Sequence, residues 1–176
     1  MVNPEASISM AKTSIVSSSH LSENASELSE FEYALTMAQN AFSRWLIHCM
    51  AAAGNKELSP IDILILHNVH HRQRPKRIAD ICFVLNIDDT HTVSYSLRKL
   101  GKFGLIESQK IGKETFYHCT ETGAGLCLNY RDIRQDCLLD SLSTLGVNRE
   151  ELGKMAQLLR TMSGVYDQAA RAAASF

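Results

Sequence analysis

The sequence predicts a mainly α-helical fold carrying one small β-hairpin. Two observations lead there. Along most of the chain apolar residues recur at spacings of three and four, the pattern of helices that bury one face. Only around residues 105–120 does the period change. There, two strand-like runs, 105–111 and 115–120, flank Gly112-Lys113-Glu114, a short turn containing glycine. With 176 residues, 45% hydrophobic and 21% charged, the chain suits one domain with appended helices and is too apolar to be disordered throughout.

Taken in order, residues 1–27 are serine-rich, aperiodic and poor in large apolar groups, and are read as a flexible N-terminal tail. Phe31, Leu35, Ala38, Phe42, Trp45 and Cys49 then mark a long helix ended by Gly54-Asn55. At about 1.5 Å per residue such a helix outreaches a small domain, and 28–57 is assigned as an N-terminal dimerisation helix. Ser59 caps the next helix with Pro60 at its first position, and Ile61, Leu64, Ile65 and Val69 form its stripe. A basic turn, His70-His71-Arg72-Gln73-Arg74, leads to Pro75, which is expected to start a short helix with Ile78, Ile81, Cys82 and Leu85 inward. Asp89 or Thr90 caps the following helix, whose inner face is Val93, Leu97 and Leu100. Gly104 closes it. After the hairpin, helical spacing returns beyond Gly123-Ala124-Gly125 with Leu126, Tyr130, Ile133 and Cys137, and Gly146 interrupts it. Asn148 caps a last helix bearing Leu152, Met155, Leu159 and Met162, so 123–176 is assigned as C-terminal dimerisation helices.

The formal net charge of −1 hides an asymmetry. Residues 1–57 hold three Lys/Arg against six Asp/Glu, whereas 72–113 hold nine against four. A basic middle between acidic or neutral flanks is the charge distribution of a nucleic-acid-reading module. The element order in 58–122, with a helix pair followed by a hairpin, is that of a winged helix-turn-helix, whose second helix enters the DNA major groove. The helix from Thr90 leaves Thr90, His91, Thr92, Ser94, Tyr95, Arg98 and Lys99 to face outward as candidate DNA contacts. Arg72, Arg74, Lys76 and Arg77, together with Lys110 and Lys113 on the hairpin, are candidates for phosphate or minor-groove contacts.

These residues also resemble the multiple-antibiotic-resistance regulator (MarR) family of bacterial transcription factors. The resemblance lies in Leu58-Ser59-Pro60 with Ile65-Leu66, Ile78-Ala79-Asp80-Ile81 with Leu85, and Thr92-Val93-Ser94 with Leu97-Arg98-Lys99-Leu100. It continues through Gly104-Leu105-Ile106-Glu107 to Thr120-Glu121-Thr122-Gly123. It covers about 58–142, with the flanking helices matching in order alone. It implies a winged helix-turn-helix flanked by long dimerisation helices, and a homodimer that binds a pseudo-palindromic operator in double-stranded DNA. It also implies release by a ligand or an oxidant. Two departures stand out. The family's wing tip carries arginines where this chain has Lys110-Ile111-Gly112-Lys113-Glu114, and Asp88-Asp89 adds an acidic residue before the recognition helix.

A small apolar or aromatic effector is expected between the first two helices. Phe42, Trp45, Leu46 and Cys49 would face Ile61 and Leu64, with Arg44, His48 and His67 as polar groups. Cys49 beside His48 is the candidate for a cysteine-based redox sensor. Cys82, Cys119, Cys127 and Cys137 read as small hydrophobes on apolar faces. His67, His70 and His71 share a helix face but lack further ligands, so no metal is expected. There is no phosphate-binding glycine loop or nucleophile elbow, and neither an enzyme nor a cofactor is expected. Five scattered cysteines and the lack of a run of about 18 apolar residues predict a cytoplasmic protein with no membrane partner. The alternative to a regulator is a winged-helix adaptor that does not read DNA.

Overall fold

The computed structural model describes residues 25–144, 146 and 148–176. The predicted tail lies outside them, apart from residues 25–27, which open the first helix.

Helix α1 (Ser26–Ala53) ends where Gly54, at φ +124°, turns its N–H back onto Met50 and Ala51. Only its C-terminal half enters the core, through Leu46, Cys49, Met50 and Ala53. Helix α2 (Pro60–His70) begins with the expected Ser59 cap, and Asp62 reaches back to the Ser59 N–H to complete a capping box. It runs through the centre of the molecule, with Ile63, Ile65, Leu66 and Val69 almost wholly enclosed. A single-turn 3-10 segment (His71–Gln73) follows, in which Arg72 and Gln73 take positive φ.

Helix α3 spans Ile78–Leu85, later than the Pro75 start expected from sequence. The reason is a backbone pairing. Lys76 exchanges hydrogen bonds of 2.9 and 2.8 Å with Tyr117, which holds that residue extended and leaves Arg77 to cap the helix. Helix α4 (Thr90–Lys102) is capped by Asp89 and buries Val93, Leu97 and Leu100, the three positions its spacing predicted. Strands β1 (Ile106–Ile111) and β2 (Glu114–Cys119) pair antiparallel from Ile106 opposite Cys119 to Ile111 opposite Glu114. The turn is therefore the two residues Gly112-Lys113, with Gly112 at φ +62°, and Glu114 belongs to the strand.

Helix α5 (Glu121–Arg134) starts ahead of the Gly123-Ala124-Gly125 cluster that was expected to precede it. Thr120 caps it, accepting from the Gly123 N–H at 3.1 Å while its hydroxyl donates to the Gly104 carbonyl at 2.7 Å. A Cβ at Gly123 would lie 2.0 Å from the Leu105 carbonyl oxygen and 2.8 Å from Cys119 Sγ. The missing side chain is what lets the start of α5 pack on the hairpin base. A π-helical turn (Gln135–Leu139) leads into the short α6 (Asp140–Thr144). Cys137 in that turn is exposed, contrary to its expected place on an apolar face, because the π turn rotates it out of the α5 stripe.

Asn148 and Glu151 form the capping box of α7 (Arg149–Ala173). This 25-residue helix buries none of its residues. Hydrogen bonds tie it to the rest: Tyr166 donates to Glu32 at 3.1 Å, and Asn86 donates to Ser163 and Asp167 at 3.2 Å. Apart from α7, side chains from α1 through α5 build one continuous core, so the winged part and the C-terminal half of α1 form a single packed unit.

The Gly123 contact predicts a stability contrast. Gly123→Ala should lose on the order of 1–3 kcal/mol through overpacking against the Leu105 carbonyl. Gly125→Ala, with nothing within 4 Å, should be neutral or gain about 0.4–1 kcal/mol. Chemical denaturation of the two variants measures both.

Candidate nucleic-acid interface

Helix α4 presents the surface. Asp89 accepts from the N–H groups of His91 (2.8 Å) and Thr92 (3.3 Å) and from the Thr92 hydroxyl (2.7 Å), which fixes the helix start. These hydrogen bonds hold the Asp89 carboxyl below its usual range. Beyond the cap, Thr90, His91, Thr92, Tyr95 and Arg98 are exposed, Tyr95 at 67%. Ser94 is half-buried and donates to the Thr90 carbonyl at 2.8 Å, a local bond that leaves its oxygen able to accept. Tyr95, Arg98, Lys102 and the stem of Lys99 line one shallow recess along this face. Lys102, one i+4 step from Arg98, continues the basic edge of this face.

What holds this face in place is a buried carboxylate that the sequence reading passed over. Asp62 on α2 is only 2% exposed. Its Oδ2 accepts from the Ser59 hydroxyl (2.7 Å) and the Lys99 ammonium (2.7 Å), and its Oδ1 accepts from Ser96 (2.6 Å). Burial pushes the carboxyl up, but the donors from Lys99, Ser96 and Ser59 together outweigh it and leave it below the ordinary carboxylate range. Lys99 also donates to the Glu57 carbonyl at 2.7 Å. Its ammonium is thus turned inward, which corrects the expectation that Lys99 faces outward with the rest of α4.

The other basic candidates divide in the same way. Lys76 is half-buried, and its ammonium donates to the carbonyls of Asn68 and His71, closing the turn between α2 and α3. Arg77 pairs with Asp80 at 3.0 Å and with Glu114 at 2.8 Å, tying the start of α3 to the hairpin tip. Arg72, Arg74, Lys110 and Lys113 are exposed, the first two in the turn and the last two on the wing.

Behind the interface, α1, α2 and α5 border an open cavity of about 520 Å³. Phe42, Trp45, Leu46, Leu64 and His67, all expected as effector contacts, line it. Cys49, Ile61, Arg44 and His48 do not. Cys49 is buried in the core, Ile61 packs against that core, and Arg44 and His48 sit on the exposed side of α1, turned away from the cavity face. The wall that sequence reasoning missed comes from α5: Tyr130, Arg131 and Arg134, with His70 from α2. Their helical spacing carried a signal, but only packing reveals which wall they face. His67 meets Tyr130 edge to face, with centroids 4.5 Å apart, and its Nε2 finds no hydrogen-bond partner among the described residues. Burial, aided by nearby His70, pushes the imidazole down to about 4. Cys49 donates to the Tyr130 carbonyl at 3.6 Å, and burial raises its thiol, which lowers its reactivity. Among the described residues no helix is long and apolar enough to cross a membrane, and no three His, Cys, Asp or Glu side chains converge as a metal site.

Comparison with known proteins agrees with this architecture. Residues 58–123 match the family described as Winged helix DNA-binding domain. A search of curated protein sequences finds no match. Among solved structures, a MarR family regulator from Neisseria meningitidis is similar with a TM-score of 0.65 at 17% identity, over 82% of this chain and 96% of that one. A cysteine mutant of E. coli MarR complexed with operator DNA gives 0.64 at 16% identity, over 80% and 99%. CouR from Rhodococcus jostii RHA1 bound to p-coumaroyl-CoA gives 0.63 at 11% identity, over 76% and 91%. Residues 58–123 are therefore similar to a winged helix DNA-binding domain, and the chain has the fold of the MarR-family regulators.

Proposed function

We propose that the chain is a ligand-responsive transcriptional regulator that binds a pseudo-palindromic site in double-stranded DNA as a homodimer. One observation carries this reading. A helix with a capped N-terminus, an outward face of Thr90, His91, Thr92, Tyr95 and Arg98, and a fixed inner face stands beside a hairpin whose tip bears Lys110 and Lys113. Short polar side chains on such a helix can reach base edges, while cations on the flanks meet phosphates. An adaptor without DNA readout would not need that division.

The homodimer is supported by surface that one copy leaves uncovered. Leu152, Met155, Leu158 and Leu159 on α7 are 40–57% exposed, and Leu28, Tyr33, Met37 and Phe42 on α1 are 43–58% exposed. Large apolar side chains in this density mark an interaction surface. Two copies related by a two-fold axis would present their α4 helices to half-sites about 10 bp apart. Selection of bound fragments from random DNA tests the reading: a palindromic consensus supports it, and no enrichment overturns it.

The polar groups should divide by role. Tyr95→Ala should change which sequence is preferred. Lys113→Ala should weaken specific and random duplexes alike and reduce the slope of log affinity against log salt by about one unit. Titrating both variants on one selected and one random duplex measures this. A larger change in base preference from Lys113→Ala would reverse the assignment.

The effector reading places a small aromatic or apolar molecule in the cavity between α1, α2 and α5. The neutral His67 ring and its unpartnered Nε2 would meet a polar group, and Arg131 and Arg134 stand at the rim. CouR with its bound p-coumaroyl-CoA is a fold neighbour that takes a small ligand. His67 also predicts a pH dependence. In the fold its proton is lost above a pH of about 4, whereas the unfolded chain takes it up below about 6.5. Between those values the unfolded state binds more protons, so stability falls as pH falls, at most by roughly 1.4 kcal/mol per pH unit. Denaturation of the wild type and His67→Phe from pH 7 to 4.5 should give a flatter profile for the variant.

A further inference from the structure

The tip of the wing carries an apolar side chain that the fold itself leaves outside. Ile111 ends β1 and is 54% exposed. Directly across the ladder stands Glu114, an acid rather than an apolar partner that would cover it. Lys110 precedes it and Lys113 follows across Gly112, and both cations are exposed. Only Ile106 of β1 is buried, so the strand stands clear of the core from Glu107 outward. Glu114 is drawn aside from the tip, because it accepts from Arg77, at the start of α3, at 2.8 Å. What remains at the end of the hairpin is a branched apolar group between two cations. Arg98 of α4 borders one recess with Ser108 and Tyr117 of the hairpin, so the wing continues the face that α4 presents. At about 3.3 Å per residue, Ile106 to Ile111 gives a reach of roughly 17 Å. That is about half a turn of duplex DNA, the offset from a major groove to the minor groove beside it.

We propose that Ile111 is an apolar minor-groove wedge that selects an easily unstacked pyrimidine–purine step beside each half-site. The inference rests on the DNA-binding reading above and adds to it a residue and a mode of readout. Ile111 has no polar group, so it reads no donor or acceptor pattern. An aliphatic side chain pressed between two base pairs instead gains contact with their faces and with the sugars, at the expense of stacking. TA and CA/TG steps unstack most easily, so the deformation energy rather than a base contact carries the preference. Lys110 and Lys113 meet the phosphates along the groove and hold the tip to it. A free carboxylate at the tip would repel those same phosphates, and the ion pair with Arg77 keeps that of Glu114 off the backbone.

The test runs the selection from random DNA with the wild type and with Ile111→Thr, which stays β-branched but loses most of the apolar end. The wild type should enrich a TA or CA/TG step at one fixed distance outside each half-site. Ile111→Thr should keep the half-site consensus and lose that step, and Ile111→Val should retain it. On a selected duplex Ile111→Thr should bind roughly fivefold or more weakly than the wild type. Its slope of log affinity against log salt should be unchanged, because no phosphate contact is removed. A fluorescent adenine analogue placed at the step should brighten when the wild type saturates the duplex and stay dim with saturating Ile111→Thr. An identical flanking preference in the wild type and Ile111→Thr would overturn the proposal, as would equal fluorescence from the two saturated duplexes. A half-site consensus with no preferred flanking step would overturn it as well. Absence of any enrichment by the wild type is the separate failure of the DNA-binding reading, and the wedge falls with it.

Discussion

The buried carboxylate of Asp62 is the constraint on which the arrangement of this molecule depends. A carboxylate taken out of water costs several kcal/mol unless it is fully partnered. Asp62 is partnered from three directions. It caps its own helix at Ser59, takes Ser96 from the inner face of α4, and takes Lys99 from the next turn. The need to satisfy one charge therefore fixes the start of α2 and the rotation of α4 together. Val93, Leu97 and Leu100 would pack α4 against the core without it, but apolar contacts alone tolerate rotation more readily than a pair of directional bonds of 2.6 and 2.7 Å. Removing a single partner of such a pair costs about 3–5 kcal/mol, because the other group is left buried and unpaired.

The same helix faces the other way as well. Leu64, His67 and His70 line the cavity toward α1 and α5, while Asp62, near the start of α2, holds the recognition helix. Both surfaces sit on one 11-residue helix. Under the proposed function, a group that prefers one position of α2 would act on the pose of α4 through a contiguous element rather than through a loop. The energy needed is modest, since a tenfold change in DNA affinity corresponds to a coupling of about 1.4 kcal/mol. The hairpin base is a second junction. Thr120, Gly123 and Cys119 bring the start of α5 and the base of the hairpin into close contact.

Local chemistry was legible in the sequence, and long-range pairing was not. Ser59-Pro60 marked a helix start, Asp89 or Thr90 a cap, Gly54 a stop, and the spacing of Val93, Leu97 and Leu100 an inner face; each is found so, with Asp89 as the cap. These features depend on neighbours within a turn or two. Asp62 stands out only in the fold, because its partners Ser96 and Lys99 lie 34 and 37 residues away. Lys99 read as an outward cation for the same reason. The late start of α3 depends on Lys76 pairing with Tyr117 across the wing. The early start of α5 depends on a backbone approach that only a glycine permits, and in the sequence that glycine reads as a helix breaker. At the cavity, α1 supplied readable aromatic walls, but the α5 wall became visible only once α5 was packed against α1 and α2.

The central claim is that Asp62 sets the pose of the recognition helix. Hydrogen–deuterium exchange across α4 in Asp62→Asn tests it most directly. Asparagine keeps the size and can still accept from the Ser59 N–H, but it gives up the charge that holds Lys99. The account predicts that amides of α4 from Ser94 to Gly101 exchange at least tenfold faster than in the wild type, while those of α5 and the C-terminal half of α1 keep their protection. Unchanged protection of α4 in a folded Asp62→Asn protein would contradict it.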